Sequence, residues 1–300
     1  IIPILSAWNS DGTSYAHALS ELVITREMAK LSDNKTQRFY SPAFPHFHAS
    51  YLIEGTIDNA PNGIWKAIKE EDRYKLRSCL MIIMEHVGTS IRTYFESKAM
   101  SEDVWYSLVS QMIICMRVAG EECSFVHYDL GPTNMTVIET KNQFVKSRFD
   151  GIEVIVKTEG FELKLIDFAR ARVTRDDCLI MVTKLPMAGT SLDAQHGLWI
   201  DQEYREHFRK YDNQKEVWKY LLRNALYMAD HHVDTRSDQF YEIMCDIKAV
   251  LKTTEGLTYE RIWSCAEKIL KKCIVTSTAS EQKKVLEMLK PKDSTHAKKE

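Results

Sequence analysis

Glycine and proline are scarce, eleven and seven in 300 residues. That is roughly half the usual share, and it excludes collagen-like, low-complexity and elastic-linker chains. Long apolar runs are also missing. Cys79-Leu80-Met81-Ile82-Ile83-Met84 is about a third of the roughly 20 residues a membrane-spanning helix needs, a length that suits a buried strand. Ile1-Ile2-Pro3-Ile4-Leu5 has no basic residue before it and too few apolar residues after it to be a secretory signal. Forty lysines and arginines against 42 acids leave a net charge of −2, so no global field draws the chain onto nucleic acid or anionic lipid. Neither direct nucleic-acid binding nor a membrane partner is expected. The seven cysteines form no C-x-x-C pair, which argues against a disulfide framework or structural zinc site and for a reducing, intracellular compartment.

What is present is globular: 44% hydrophobic, 27% charged, 10% aromatic, enough for one large or two modest units with a real core. No fixed-period repeat and no interdomain linker is visible. From Glu281 onward lysines dominate and apolar residues thin out after Leu289, so the last ten or so residues read as a solvated tail.

Helical spacing from Ser14 to Ser32 puts Ala18, Ile24, Met28 and Leu31 on one stripe, and Glu21 falls on that same stripe. Its carboxylate is aimed inward. Two readings stand: a half-solvated acid in an early helical turn, or a buried ion pair with a lysine of a neighbouring strand. Leu80 to Glu85 predicts a short strand, broken by His86-Val87-Gly88-Thr89-Ser90. Val104, Leu108, Met112, Ile113 and Met116 predict an amphipathic helix from about Glu102 to Glu122.

Directly after it, His127-Tyr128-Asp129-Leu130-Gly131-Pro132-Thr133-Asn134 reads as a loop opening into the β-prone Met135-Thr136-Val137-Ile138. Two further strands follow. One carries Ile152, Val154 and Val156; after the turn Thr158-Glu159-Gly160, Phe161, Leu163 and Leu165 alternate with Glu162, Lys164 and Ile166. The second ends in Ile166-Asp167-Phe168-Ala169. An aspartate at a strand end, downstream of an H-x-D-x-x-x-x-N loop, supplies the oxygen ligands of a magnesium phosphoryl-transfer site. Asp129 would face a substrate hydroxyl. Asn134 and Asp167 would hold Mg²⁺, which prefers hard oxygen donors. His127 fits a structural core histidine, as the motif itself allows.

On these residues the sequence resembles the eukaryotic protein-kinase-like superfamily and, within it, the haspin family. Glu21-Leu22-Val23-Ile24-Thr25-Arg26-Glu27-Met28 is similar to the haspin αC helix, and Met84-Glu85 to the gatekeeper and first hinge residue. The long stretch between Asn134 and Asp167, with its Asp150-Gly151 turn, resembles the extended haspin hairpin. Asp167-Phe168-Ala169 stands for D-F-G, and no A-P-E follows. The resemblance implies an α+β, bilobal kinase-like fold. A small, incomplete β-rich N-lobe would span residues 1–83, a hinge 84–90, and a mainly helical C-lobe 91–276, with a C-terminal helix end and basic tail over 277–300. It implies ATP and Mg²⁺ as ligands, with Asp129 as catalytic base, Asn134 and Asp167 as metal ligands, and Glu21 as partner of the phosphate-binding lysine. Met84, Glu85, His86 and Val87 would line the adenine site. The implied activity is transfer of the ATP γ-phosphoryl to a serine or threonine of a protein substrate, a histone tail in that family, in the nucleus. Asp176 and Asp177 are candidates for binding a basic peptide.

The front of the chain departs from the pattern. None of the 20 residues before Glu21 is a lysine, and no two glycines are two apart, so the glycine-rich loop and its lysine-bearing strand are absent and a truncated chain is expected. A pseudokinase acting as a binding or scaffolding module is the competing class. A small-molecule kinase is disfavoured because Phe168-Ala169 follows Asp167 where a second acid is usual. Asp230-His231-His232-Val233-Asp234 reads as a surface helix end, since adjacent helical histidines point about 100° apart. His46 and His48 lack a third metal ligand nearby.

Overall fold

The computed structural model describes residues 2–5, 15–54, 76–96, 98–175, 178–181, 214–253 and 258–291. Asp176 and Asp177 lie outside them, as do residues 292–300 of the expected tail. The chain is mixed α+β, with small antiparallel sheets and several helices, an arrangement compatible with a kinase-like fold.

The first sheet has the order β1-β3-β2, built from Ile2–Leu5, Phe47–Glu54 (β2) and Leu76–Met84 (β3). Helix α1, Tyr15–Asp33, buries Ala18, Ile24, Met28 and Leu31, the stripe its spacing predicts. Ala18 packs with Leu80 of β3 in a small apolar cluster, whereas Ile24, Met28 and Leu31 belong to the main core. One helix thus joins two packing regions. Met84 ends β3, and residues 85–88 lead into the two-residue strand β4, Thr89–Ser90. Ser90 then caps helix α2, Ile91–Phe95, by accepting from the Thr93 N–H at 3.2 Å.

Helix α3, Glu102–Cys123, is the central pillar. Ser101 caps it by accepting from Val104 N–H, Glu102 and Asp103 suit the positive end of its dipole, and almost every residue from Trp105 to Ala119 is buried. Burial all round is more than its amphipathic spacing predicts: strands lie along one side and α4, Gln214–His232, along another.

Strand β5, Met135–Glu139, lies between β4 and β8, Phe161–Leu165. β6, Phe144–Phe149, and β7, Ile152–Lys157, form a separate hairpin through Asp150 (φ 51°) and Gly151 (φ 80°), left-handed values that suit a tight two-residue turn. The strand holding Ile152, Val154 and Val156 therefore pairs backwards across Asp150-Gly151, and the Thr158-Glu159-Gly160 turn leads β8 away to a different partner. Val154 and Val156 are buried, whereas Ile152 beside the turn is exposed. After Asp167 come a 3-10 turn, Phe168–Arg170, and the pair β9, Arg172–Arg175, and β10, Cys178–Met181. Helices α5 (Asp238–Lys252), α6 (Tyr259–Cys273) and α7 (Ala279–Leu289) complete the core, each opened by a Ser or Thr cap.

The lysine-rich stretch after Glu281 is helical to Leu289, with Val285, Leu286 and Leu289 as its apolar face. One local expectation changes. His231 stays exposed, but His232 is buried, its ring tilted against Phe95 with centroids 6.4 Å apart, so only part of that segment is a surface helix end. Among the described residues no group of three or more His, Cys, Asp or Glu could hold a metal, and no helix is long and apolar enough to cross a membrane.

Gly88 has φ +75°, and a Cβ there would overlap the Val137 carbonyl of β5. Only glycine lets the chain pass so close to the second sheet. Gly88→Ala is therefore expected to destabilise the fold by about 3 kcal/mol through steric overlap and left-handed strain, read as a lower urea midpoint with an unchanged m value.

Candidate functional site

The loop of residues 127–134 is closed by its own backbone. Asp129 N–H donates to His127 O at 2.8 Å, forming a three-residue turn around Tyr128, whose φ is 57°. Asn134 and Met135 N–H groups both donate to Gly131 O, at 2.9 and 3.0 Å. Two longer tethers fasten the loop to the end of β8: the His127 imidazole Nε2 lies 3.0 Å from Ile166 O, and the Ile166 N–H donates to Asn134 O at 3.0 Å. Full burial holds the His127 pKa below its ordinary value. The ring is therefore neutral at physiological pH and donates its single N–H to the Ile166 carbonyl.

Asp167 follows Ile166 in a left-handed conformation (φ 62°, ψ 73°), exposed, accepting from Ala169 N–H at 3.3 Å. A non-glycine residue in that region is strained, and Tyr128 is a second one. Both stand directly after a residue of the His127–Ile166 bond. That bond, the paired strands β5 and β8, and the aromatic wedge Phe44–Phe125–Phe168–His127, with centroids 5.6 to 6.3 Å apart, hold the strained geometry in place.

The buried Asn134 donates from Nδ2 to Asp129 O at 2.9 Å. The donor end of the amide is committed, and Oδ1 is the end available to a cation. Asn134 Oδ1 and the Asp167 carboxylate are both hard oxygen donors, the chemistry that would suit Mg²⁺ and not a thiol- or imidazole-binding metal. Asp129 is half-exposed, and its Oδ1 lies 3.5 Å from an Arg170 guanidinium nitrogen. The structure thus joins three sequence-predicted residues, Asp129, Asn134 and Asp167, through one short hydrogen-bonded unit.

Glu21 faces the same region: α1 packs on the Phe168–Arg170 turn. Burial, with the Asp167 charge adding to it, pushes the Glu21 pKa up to about 7. No described residue forms an ion pair with it.

The segment that follows β3 is anchored by charges that sequence spacing missed. Glu85 pairs with Lys164 of β8, a lysine only 6% exposed. The Glu85 carboxylate also accepts from His46 N–H at 3.0 Å, while Glu85 N–H donates to His46 O at 2.9 Å. The His46 ring reaches Asp33 at the end of α1, 3.0 Å away. Burial alone would raise the Glu85 pKa; Lys164 and His46 outweigh it and hold the carboxyl below its ordinary value. Strand alternation predicts an outward Lys164, but β8 is covered on both faces at its end, and an acid 79 positions away carries no local signal. The backbone of Glu85, His86 and Val87 is held at one edge of this anchor, next to Met84 at the end of β3.

No protein-family profile matches the chain. It is 22% identical over 174 residues, 55% of this chain and 30% of the other, to the serine/threonine-protein kinase haspin homolog of Drosophila melanogaster. It is 28% identical over 151 residues, 50% of this chain and 45% of the other, to the Caenorhabditis elegans protein named Uncharacterized protein ZK177.2. The matched stretch spans less than half the length of either relative. The similarity supports a distant kinase-like relationship.

Two measurements check this geometry. Lys164→Met removes one of the partners of a partly buried carboxylate and should cost about 2 kcal/mol. Lys164→Met with Glu85→Leu should cost clearly less than the two single changes added together, as read by a double-mutant cycle in urea. For Glu21, a folded pKa near 7 against an ordinary 4.5 means the folded state keeps a proton that the unfolded chain has released. Stability should therefore fall as pH rises from about 4.5 through 7, by up to roughly 3 kcal/mol. Glu21→Gln should flatten that slope in thermal melts across the same pH range.

Proposed function

We propose that this chain carries the phosphoryl-transfer site of a haspin-like protein serine/threonine kinase. The observation that carries the reading is the His127–Ile166 tether, which joins the Asp129–Asn134 loop to Asp167 at the end of β8. The distant similarity to a haspin homolog points the same way.

In this reading Asp129 accepts the proton of a serine or threonine hydroxyl as that oxygen attacks the γ-phosphorus of ATP. The bond from the γ-phosphorus to its β,γ-bridging oxygen breaks, ADP leaves with the electron pair, and the proton passes from Asp129 to solvent. Asn134 and Asp167 would hold Mg²⁺, whose charge would offset that of the phosphates. The backbone of Glu85 to Val87 would offer its donors and acceptors to adenine, with the Met84 and His86 side chains beside it. The Lys164–Glu85–His46 anchor would keep that backbone in place, a form of preorganisation. The acceptor we propose, on the strength of the family resemblance, is a threonine in the basic N-terminal tail of a histone.

The test is label transfer. The full-length protein, incubated with Mg²⁺ and γ-labelled ATP, should phosphorylate a histone tail peptide. Asp129→Asn and Asp167→Asn should each reduce the rate on the order of 10²-fold or more. Equal labelling by either variant would contradict the role given to that residue. Nucleotide binding without any transfer by the wild-type protein would favour a pseudokinase scaffold.

A further inference from the structure

Resting on the kinase reading, one residue outside the motif stands where the chemistry needs a cation. The loop from Tyr128 to Asn134 contains no lysine or arginine. Gly131, two positions beyond Asp129, leaves open space: the nearest atom a Cβ would meet is Thr133 Oγ1, 3.9 Å away. Yet a transferring phosphoryl group spreads negative charge over its outer oxygens, and a positive group close to them is part of every efficient site of this kind.

Arg170 supplies such a group from another direction. It is the last residue of the Phe168–Arg170 turn, three positions after Asp167, and the turn is pinned by the buried Phe168. Its guanidinium nitrogen lies 3.5 Å from Asp129 Oδ1, with the two side chains 43% and 40% exposed. An ion pair this open to water holds weakly and exchanges partners readily. A guanidinium fork matches phosphate oxygens better than it matches one carboxylate oxygen at that distance.

We propose that Arg170 is a phosphate-binding residue: it leaves Asp129 for the γ-phosphoryl oxygens of bound nucleotide, reaching them from the Asp167 side. The same exchange releases the Asp129 carboxylate to receive the hydroxyl proton. In the absence of nucleotide the pair occupies both charges and keeps the base engaged.

The contact is to the third phosphate, so the readout is the difference between two nucleotides. Calorimetric titration of the full-length protein with Mg²⁺ and either ADP or the non-hydrolysable analogue AMP-PNP measures it directly. Arg170→Ala should weaken AMP-PNP binding about tenfold or more while leaving ADP affinity unchanged, and unchanged ADP affinity also shows that the variant is folded. Arg170→Lys should recover part of the loss, as a charge without the fork. Should the alanine variant not fold, Arg170→Gln serves the same comparison. An AMP-PNP to ADP affinity ratio equal to that of the wild-type protein would overturn the assignment of Arg170. Failure of the wild-type protein to bind either nucleotide would overturn the kinase reading beneath it.

Discussion

The site depends on one hydrogen bond inside the protein, from the neutral His127 ring to the carbonyl of Ile166. The helix that delivers His127 and the strand that delivers Asp167 are separated by a 39-residue excursion through a hairpin and a turn. A buried donor meeting a buried acceptor is worth only about 1 kcal/mol net, but leaving either one unpaired costs more. The pair therefore selects a single register for the loop against β8. With Ile166 N–H on Asn134 O, it leaves little freedom to Asp129, Asn134 and Asp167, and it accounts for two left-handed residues persisting side by side at Tyr128 and Asp167.

A second level of constraint surrounds this one. Phe168 fills the space between Phe44, Phe125 and His127, so the turn after Asp167 cannot shift without opening the core. Segment 40–46 threads between elements, passing hydrogen bonds to β6, β8 and Glu85. The Lys164–Glu85–His46–Asp33 chain of polar contacts then links β8, the segment after β3 and the end of α1. Gly88 permits the close approach that joins that segment to β5. Partial burial and the Asp167 charge raise the pKa of Glu21, on the helix that packs against the turn after Asp167.

Much of this was legible in the amino-acid order. The apolar stripe of α1 with Glu21 on it, the long α3, the polar loop from His127 and the strand ending in Asp167 all follow from periodicity and turn chemistry. The Asp150-Gly151 turn expected in the extended hairpin is where β6 and β7 pair. The partner of β8 was not legible: alternation assigns faces to a strand, yet nothing in β8 alone says that it crosses to β5. His232 was misplaced for a related reason: it was read as part of a surface helix end, and it is buried. The burial of Lys164 against Glu85 likewise carries no local signal. Arg170 carried no motif, and only its distance to Asp129 draws it into the site.

The central claim is that Asn134 and Asp167 hold one divalent cation beside Asp129. Paramagnetic broadening by Mn²⁺ with ATP, in backbone NMR spectra of the full-length protein, reads this without requiring turnover. The account expects signals of residues 129–135 and 165–170 to broaden first, those of α7 to stay sharp, and Asp167→Asn to abolish the effect. Broadening that leaves both segments untouched, or that survives Asp167→Asn unchanged, would contradict it.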